Sequence, residues 1–535
     1  MTNRETKYAE DFHEATKHSE VSIQLSRHRL DWRNKPHPFK FYTRLPPISL
    51  SQVFPKPECG ALNSISSTQT RSRVRDPLHL KGLAEILFFS AGITRGIKYD
   101  SSTLYMRAAS ATGALYPIEL YLVCEQIDNL VPGVYHFNPG DFSLTKLREG
   151  DYRSQLSEAA GGDENILNSP CTIIFSSIAW RNAWKYQVRS YRHWFWDSGV
   201  IASNLLATTS CIGLRIHFNL GFVDNIVNRL ICVEDRREAS IALVSLAAGV
   251  SKNSSVKQEE IPILYHETTN SHIKGEVEYP QIWKMHEASY LTSKDEVKNW
   301  ISEEVNEQVH TSDAAMILDS IPLPVANYTN DPTLSDVILL RGSSRQFSRK
   351  PISFSQLSNI LHSSTHSIPL DVIHGGKSGM IEIYFIANDV EGLTSGSYYY
   401  NCSTKSLDKL KRDVSREVSG YLCLWQSLFS DASVVFFLMA PLQRVLESLG
   451  NRGYRAVQFE AGVVAGKIYL ASYAQAIGAS GSTFFDDAVT EFFSPHAKDK
   501  STMIAVGVGI PGYRSKSGSV LAGKLTRDQL IADAL

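Results

Sequence analysis

Apolar residues recur along this chain with two periods, and each period predicts its own element. Short, largely apolar runs at Ile118–Val123, Val134–Phe137 and Thr172–Ser176 predict strands, whereas the spacing over Leu80–Phe89 predicts a helix. Within Asp197–Leu214, Val200, Asn204, Ala207, Cys211 and Leu214 fall at helical intervals beside the small residues Gly199, Ala202 and Ser203. Small side chains let helices approach closely, so this segment is expected to be a core or interface helix. Glu460–Gly478 repeats the pattern with Gly462, Ala465, Gly466, Ala471, Ser472 and Ala474.

These segments match because the chain is duplicated. Gly113, Glu119, Tyr121, Gly133, Tyr135 and Asn138 reappear 263 positions later as Gly376, Glu382, Tyr384, Gly396, Tyr398 and Asn401. The register holds for Tyr191-Arg192, Gly199-Val200, Phe222 and Asp224 against Tyr454-Arg455, Gly462-Val463, Phe485 and Asp487. A period this long is a repeated domain rather than a solenoid unit. The expected organisation is an N-terminal arm over 1–65, a first copy over 66–250, a polar linker over 251–335 and a second copy over 336–535. The arm's prolines disfavour a long helix, and Trp32, Phe39, Phe41 and Tyr42 are expected to anchor an extended arm on the body, while the linker shows no convincing strand, only a helical stretch near Lys294–Val309. Two covalently joined copies are expected to pack through the Asp197–Leu214 and Glu460–Gly478 helices as an internal pseudo-dimer, whose two sites are then free to diverge.

Composition narrows the function. With 43% hydrophobic and 20% charged residues, the 535-residue chain can bury large cores. A formal net charge of −1 supplies no basic field for a phosphate backbone, so nucleic acid is not an expected partner. The longest apolar run, Val434–Ala440, is too short to span a bilayer and the first twenty residues carry no signal-like apolar core, so a cytoplasmic protein without a membrane partner is expected. The seven cysteines are scattered without a C-x-x-C pair and are expected to be buried thiols. His13, His18 and Asp486-Asp487 lack the further ligands a metal site needs.

Candidate chemistry lies in three places. Arg71, Ser72 and Arg73 in the first copy, and Arg341, Ser343 and Arg345 in the second, form cationic and hydroxylic turns suited to a phosphate; either alone reads more readily as a solvated basic turn, but their corresponding places in the two copies favour phosphate binding. Small-residue loops around Ser110 and Gly113, and over His374–Gly379, precede the first strand of each copy and allow close backbone approach to a planar or anionic ligand, or simply lead into the strand. Neither "HGGKSG" nor "GVGIPG" has the context of a nucleotide loop. Lys185 and Tyr186 sit in the aromatic and cationic segment "WRNAWKYQVRSYRHWFWD" and are adjacent proton-handling groups. The second copy has Ser448 and Leu449 in their register, so the pair belongs to one copy only.

The motifs "TRSRVRD", "LFFSAGITR", "SATGALYPIELYLV", "GVYHFN" and "WKYQVRSYRHWFWDSG", with "LLRGSSRQF", "GSYYYN" and "GYRAVQFEAG" in the second copy, resemble the SagB-type dehydrogenases, or thiazoline/cyanobactin oxidases, of the nitroreductase-like flavoprotein superfamily. The resemblance implies an α+β fold of two nitroreductase-like domains, each a central antiparallel sheet wrapped by helices, forming the pseudo-dimer. It implies FMN, with Arg71, Ser72, Arg73, Arg341, Ser343 and Arg345 on its phosphate, Ser110 and Gly113 reaching it from the opposite copy, and Lys185 and Tyr186 serving catalysis. The activity so implied is FMN-dependent dehydrogenation of a peptide-derived or small heterocycle, of the azoline-to-azole type, with other biosynthetic enzymes as partners. The alternatives are an NAD(P)H-dependent nitro- or quinone-reductase and, in another class, a flavin-free scaffold that binds a leader peptide. The first copy's "RSRV" departs from the longer Arg-x-Ser-x-Arg turn and the second copy lacks the Lys-Tyr pair, so one dominant site is expected, where Arg341, Ser343 and Arg345 face Ser110 and Gly113.

Overall fold

The computed structural model describes residues 2–67, 77–98, 103–247, 260–269, 275–303, 305, 317–373 and 379–532. The first copy builds an antiparallel seven-stranded sheet in the spatial order Pro47–Ser49, Ser143–Glu149, Gly133–Asn138, Ile118–Cys124, Cys171–Ile178, Glu238–Ala247 and Arg215–Asn219. The second repeats that order with Asp319–Pro322, Ser406–Arg412, Gly396–Asn401, Glu382–Ala387, Val434–Ala440, Ser501–Gly509 and Gly478–Ser482. The central strands Ile118–Cys124 and Cys171–Ile178 are buried along their whole length, which explains why they read as continuous apolar runs rather than alternations. The fold is therefore α+β, with two sheets wrapped by helices.

The interface helices Ser190–Ile212 and Asn451–Ala474 cross where glycine faces glycine. A Cβ on Gly199 would lie 2.4 Å from the Phe459 carbonyl oxygen, and one on Gly462 would lie 2.5 Å from that of Trp196. Backbone meets backbone there, as the small-residue pattern predicts, and the two copies form an internal pseudo-dimer.

Buried ion pairs fasten the interface on both sides of this crossing. Arg189 and Arg192 of the first copy reach Asp486 of the second at 3.0 and 2.8 Å. Reciprocally, Arg452 and Arg455 of the second copy reach Asp224 of the first at 2.6 and 2.7 Å. The arginines keep the 263-residue register, whereas Asp224 is matched in space by Asp486, one residue short of that register.

The duplication also extends into the arm and the linker. The arm opens with a helix, Lys7–Ala15, and the linker contains the helix Pro280–Ala288. The Tyr454 hydroxyl lies 3.3 Å from His13 Nδ1, and the Tyr191 hydroxyl lies 3.1 Å from His286 Nδ1. Arg192 donates to Thr16 Oγ1, and Arg455 to Ser289 Oγ. "HEAT" and "HEAS" are thus counterparts at an offset of 273. At the same offset, Ala61 donates its amide to Pro332 and Leu334 donates to Cys59, a pairing that is its own two-fold image. The register drops to 263 past the hairpin Ile93–Lys98 and Thr103–Arg107, for which the described residues of the second copy show no counterpart.

Several expectations need correction. The arm is not extended throughout, because its prolines begin only at Pro36, beyond the first helix. The linker does contain a strand, Asp319–Pro322, which joins the edge of the second sheet. Phe39, Phe41 and Tyr42 are buried, but Trp32 is 68% exposed and meets Trp184 edge to face. Among the cysteines, Cys124, Cys171 and Cys423 are buried thiols, Cys402 is exposed, and Cys59 and Cys211 form a disulfide with Cα atoms 5.5 Å apart. That pair was hidden in the sequence because the arm folds back onto the end of an interface helix 152 residues away. No helix among the described residues is long and apolar enough to cross a membrane.

Burial holds His13 and His286 well below the ordinary imidazole range. Both are neutral in the folded protein while the unfolded chain binds protons below about pH 6.5, so their stabilisation is complete above that pH and is lost as pH falls. At pH 5 each costs about 2 kcal/mol. Asp197 and Glu460, pushed up to about 7 by burial, act in the opposite direction over the same window. The expected result is therefore a difference: a His13→Gln, His286→Gln variant loses about 4 kcal/mol less than the wild type between pH 7.5 and pH 5 in denaturant titrations. Parallel pH profiles would refute it.

Candidate active site

The turn after the helix Leu334–Leu340 brings the second copy's cations to the first copy. Arg341 is buried; its Nε and Nη2 donate to the carbonyls of Ala108 and Arg107 at 2.9 and 2.7 Å. These two residues lead directly into the Ser110–Gly113 loop, so Arg341 fixes that loop against the turn. Ser343 Oγ lies 3.4 Å from the Tyr469 hydroxyl, Ser344 Oγ lies 3.5 Å from that of Tyr473, and the Arg345 amide donates to the Tyr513 hydroxyl. From the hairpin Ile93–Lys98 and Thr103–Arg107, Arg95 donates to the carbonyls of Leu339 and Leu340, capping the C-terminal end of the helix that precedes the turn.

Across from the turn stands the helix Ala179–Tyr186. Burial and the Arg345 guanidinium together hold the half-exposed Lys185 below the ordinary lysine range. Tyr186 is driven well above the usual phenol range by burial and by the charge of Asp197, with Arg345 opposing. Gly113, at φ +65°, lies against Tyr186: a Cβ there would sit 2.8 Å from the phenol oxygen and would also be strained. Ser110, Ala111, Tyr116 and Asp197 line a pocket under the loop.

Arg341, Ser343, Arg345, Gly113, Lys185 and Tyr186 thus converge from both copies, with Ser110 beside them. Arg71, Ser72 and Arg73 lie outside the described residues, as do residues 374–378 of the "HGGKSG" loop. In the register of the Lys-Tyr pair, the carbonyls of Ser448 and Leu449 accept hydrogen bonds from Arg4, Asn3 and Trp300. Arg95, Tyr469, Tyr473 and Asp197 were not singled out from the sequence; only Asp197 left a signal there, as the register partner of Glu460.

The donor set fits a phosphate-bearing cofactor such as FMN. Arg345 and Lys185 lie near each other with no carboxylate ion pair to either among the described residues, while Arg341 and Arg95 are engaged by backbone carbonyls and hydroxyls flank the turn. Uncompensated cations beside hydroxyl donors call for an anion. Among the described residues no group of three or more His, Cys, Asp or Glu could hold a metal.

Residues 338–510 match the nitroreductase family. The chain carries a nitroreductase-family domain. The match falls on the second copy, which supplies the cationic turn. A candidate nitroreductase of Methanocaldococcus jannaschii, MJ1384, is 29% identical over 164 residues, 30% of this chain and 82% of that protein. The microcin B17-processing protein McbC of Escherichia coli is 25% identical over 199 residues, 36% of this chain and 73% of its own. A crystal structure of a candidate nitroreductase from Anabaena variabilis superposes with a TM-score of 0.72 at 24% identity, covering 94% of this chain and 99% of that one. The nitroreductase-like fold thus extends over both copies.

Proposed function

We propose that this chain is an FMN-dependent dehydrogenase that oxidises an azoline in a modified peptide to the azole, at one dominant site. The observation that carries this reading is the convergence of the second copy's Arg345 with the first copy's Gly113 loop and Lys185-Tyr186 pair. Similarity to a microcin-processing protein supports a modified-peptide substrate and cooperation with other biosynthetic enzymes. In domain terms we infer that 66–250 and 336–535 are the two fold units, with 1–65 and 251–335 each adding an edge strand to one sheet and helices that lock the units together.

Arg345 and Ser343 would hold the phosphate, with Arg341 anchoring the turn and Ser110 and Gly113 reaching the cofactor from the other copy. When bound, the isoalloxazine supplies a two-electron acceptor for hydride from the saturated ring carbon. Lys185, its ammonium destabilised by burial and Arg345, is the group suited to take the neighbouring proton. Tyr186 stays protonated, so its phenol would be available as a hydrogen-bond donor. The other potential site, with Arg71, Ser72 and Arg73 on its phosphate, would lack the proton-handling pair. The similarity to MJ1384 favours a second reading, an NAD(P)H-dependent nitro- or quinone-reductase at the same site.

Purified protein should be yellow, with a flavin absorption spectrum; a colourless protein that takes up no FMN would support the scaffold reading instead. A thiazoline peptide consumed under oxygen, without NAD(P)H, separates the dehydrogenase from the reductase. An Arg345→Ala variant is expected to bind FMN about 10- to 100-fold more weakly, the loss of one charge-assisted contact of about 1.5–3 kcal/mol. Retention of stoichiometric flavin through dilution would remove Arg345 from the phosphate site.

A further inference from the structure

Asp197 lies on the first interface helix, buried beneath the Ser110–Gly113 loop. One carboxylate oxygen accepts both the Thr112 amide and the Thr112 hydroxyl at 2.8 Å. The other faces Asn182 Nδ2 at 3.3 Å. Thr112 belongs to the loop that touches Tyr186 through Gly113, and Asn182 lies one helical turn before Tyr186 on the same helix. A single side chain therefore joins the two pieces of the first copy that meet at Gly113 and Tyr186. Among the described residues the Asp197 carboxyl has no ion-pair partner, so its buried oxygens depend on Thr112 and Asn182 for their hydrogen bonds.

The second copy provides an internal comparison. Glu460, in register with Asp197, accepts the amides of Met380 and Ile381, beyond the stretch aligned with Thr112. The position aligned with Asn182 is Val445, which has nothing to donate. Among the described residues the loop-to-helix link is seen only in the copy that has the Lys-Tyr pair.

We propose that Asp197 is a positioning residue that locks the Ser110–Gly113 loop to the helix bearing Lys185 and Tyr186, presetting both for the bound cofactor. The proposal deepens the functional reading above and rests on it for the identity of that cofactor. The test uses the full chain in four forms: wild type, Asp197→Ala, Asp197→Asn and Asn182→Val, the last borrowing the second copy's residue. Hydrogen exchange at the Thr112 amide and titration with FMN are measured on each. Asp197→Ala should speed Thr112 exchange at least tenfold, with the strand Ile118–Cys124 unchanged, and weaken FMN binding about tenfold. Asp197→Asn, whose amide oxygen can still accept, should restore much of the Thr112 protection. Asn182→Val should leave Thr112 protected yet weaken FMN severalfold, because the loop is then held but the helix is not. Unchanged Thr112 exchange in Asp197→Ala, no rescue by Asp197→Asn, or wild-type FMN affinity in Asn182→Val would each overturn the proposal. If the wild type takes up no FMN the cofactor assignment fails, while the exchange measurements still decide the lock.

Discussion

Replacing Asp224 with alanine is expected to remove about 3–5 kcal/mol of stability, because it strands two buried guanidiniums rather than deleting one favourable contact. Asp224 is fully buried, and Arg452 and Arg455 both reach it from the other copy. Their attraction holds its carboxyl below the usual range despite burial. The loss is a large share of the 5–15 kcal/mol that folded domains typically possess. Asp486→Ala, on the opposite side of the crossing, should behave alike, since Arg189 and Arg192 depend on it in the same way. Denaturant titration should show a lower midpoint for both variants, and a split into two transitions if the copies uncouple. Midpoints equal to that of the wild type would mean that the network is not what joins the copies.

Changing Lys185 to alanine and Tyr186 to phenylalanine should slow turnover of a thiazoline peptide by roughly 10²- to 10⁴-fold while bound flavin is retained. The phenol faces Gly113, and Arg345 perturbs the titration of both groups, so the pair lies at the proposed cofactor site without supplying the phosphate contacts. Phenylalanine keeps the packing of Tyr186 against His193, whose rings meet at 4.6 Å, and removes only the hydroxyl. Normal turnover would refute the catalytic assignment, and loss of flavin would turn it into a binding role.

Much of the fold was legible because duplication writes each constraint twice. Gly199 and Gly462 were visible as small residues in register, and the structure shows why: each lies against the other helix's backbone. Arg192 and Arg455 were visible as a matched pair, but their partners were obscured because Asp487 kept the register while Asp486 took the role. The counterparts His13 and His286 escaped notice because the first copy's extra hairpin changes the offset from 273 to 263, and a search at one offset cannot see across it. At the candidate site, the chemically conspicuous residues stood out. Asp197 did not, since a carboxylate in an apolar helix acquires meaning only when Thr112 and Asn182 are brought to it.

The crossed salt links also set a timetable for synthesis. Arg189 and Arg192 leave the ribosome roughly 300 residues before Asp486 does, a wait of about 15–60 s at ordinary elongation rates. Until then the nascent first half carries two cations, and a helix face opened by Gly199, that are built to be covered by polypeptide not yet made. A chain joined end to end supplies that cover in cis, at a local concentration no free subunit reaches, and so escapes the mispairing between unfinished neighbours to which a dimer of separate chains is exposed.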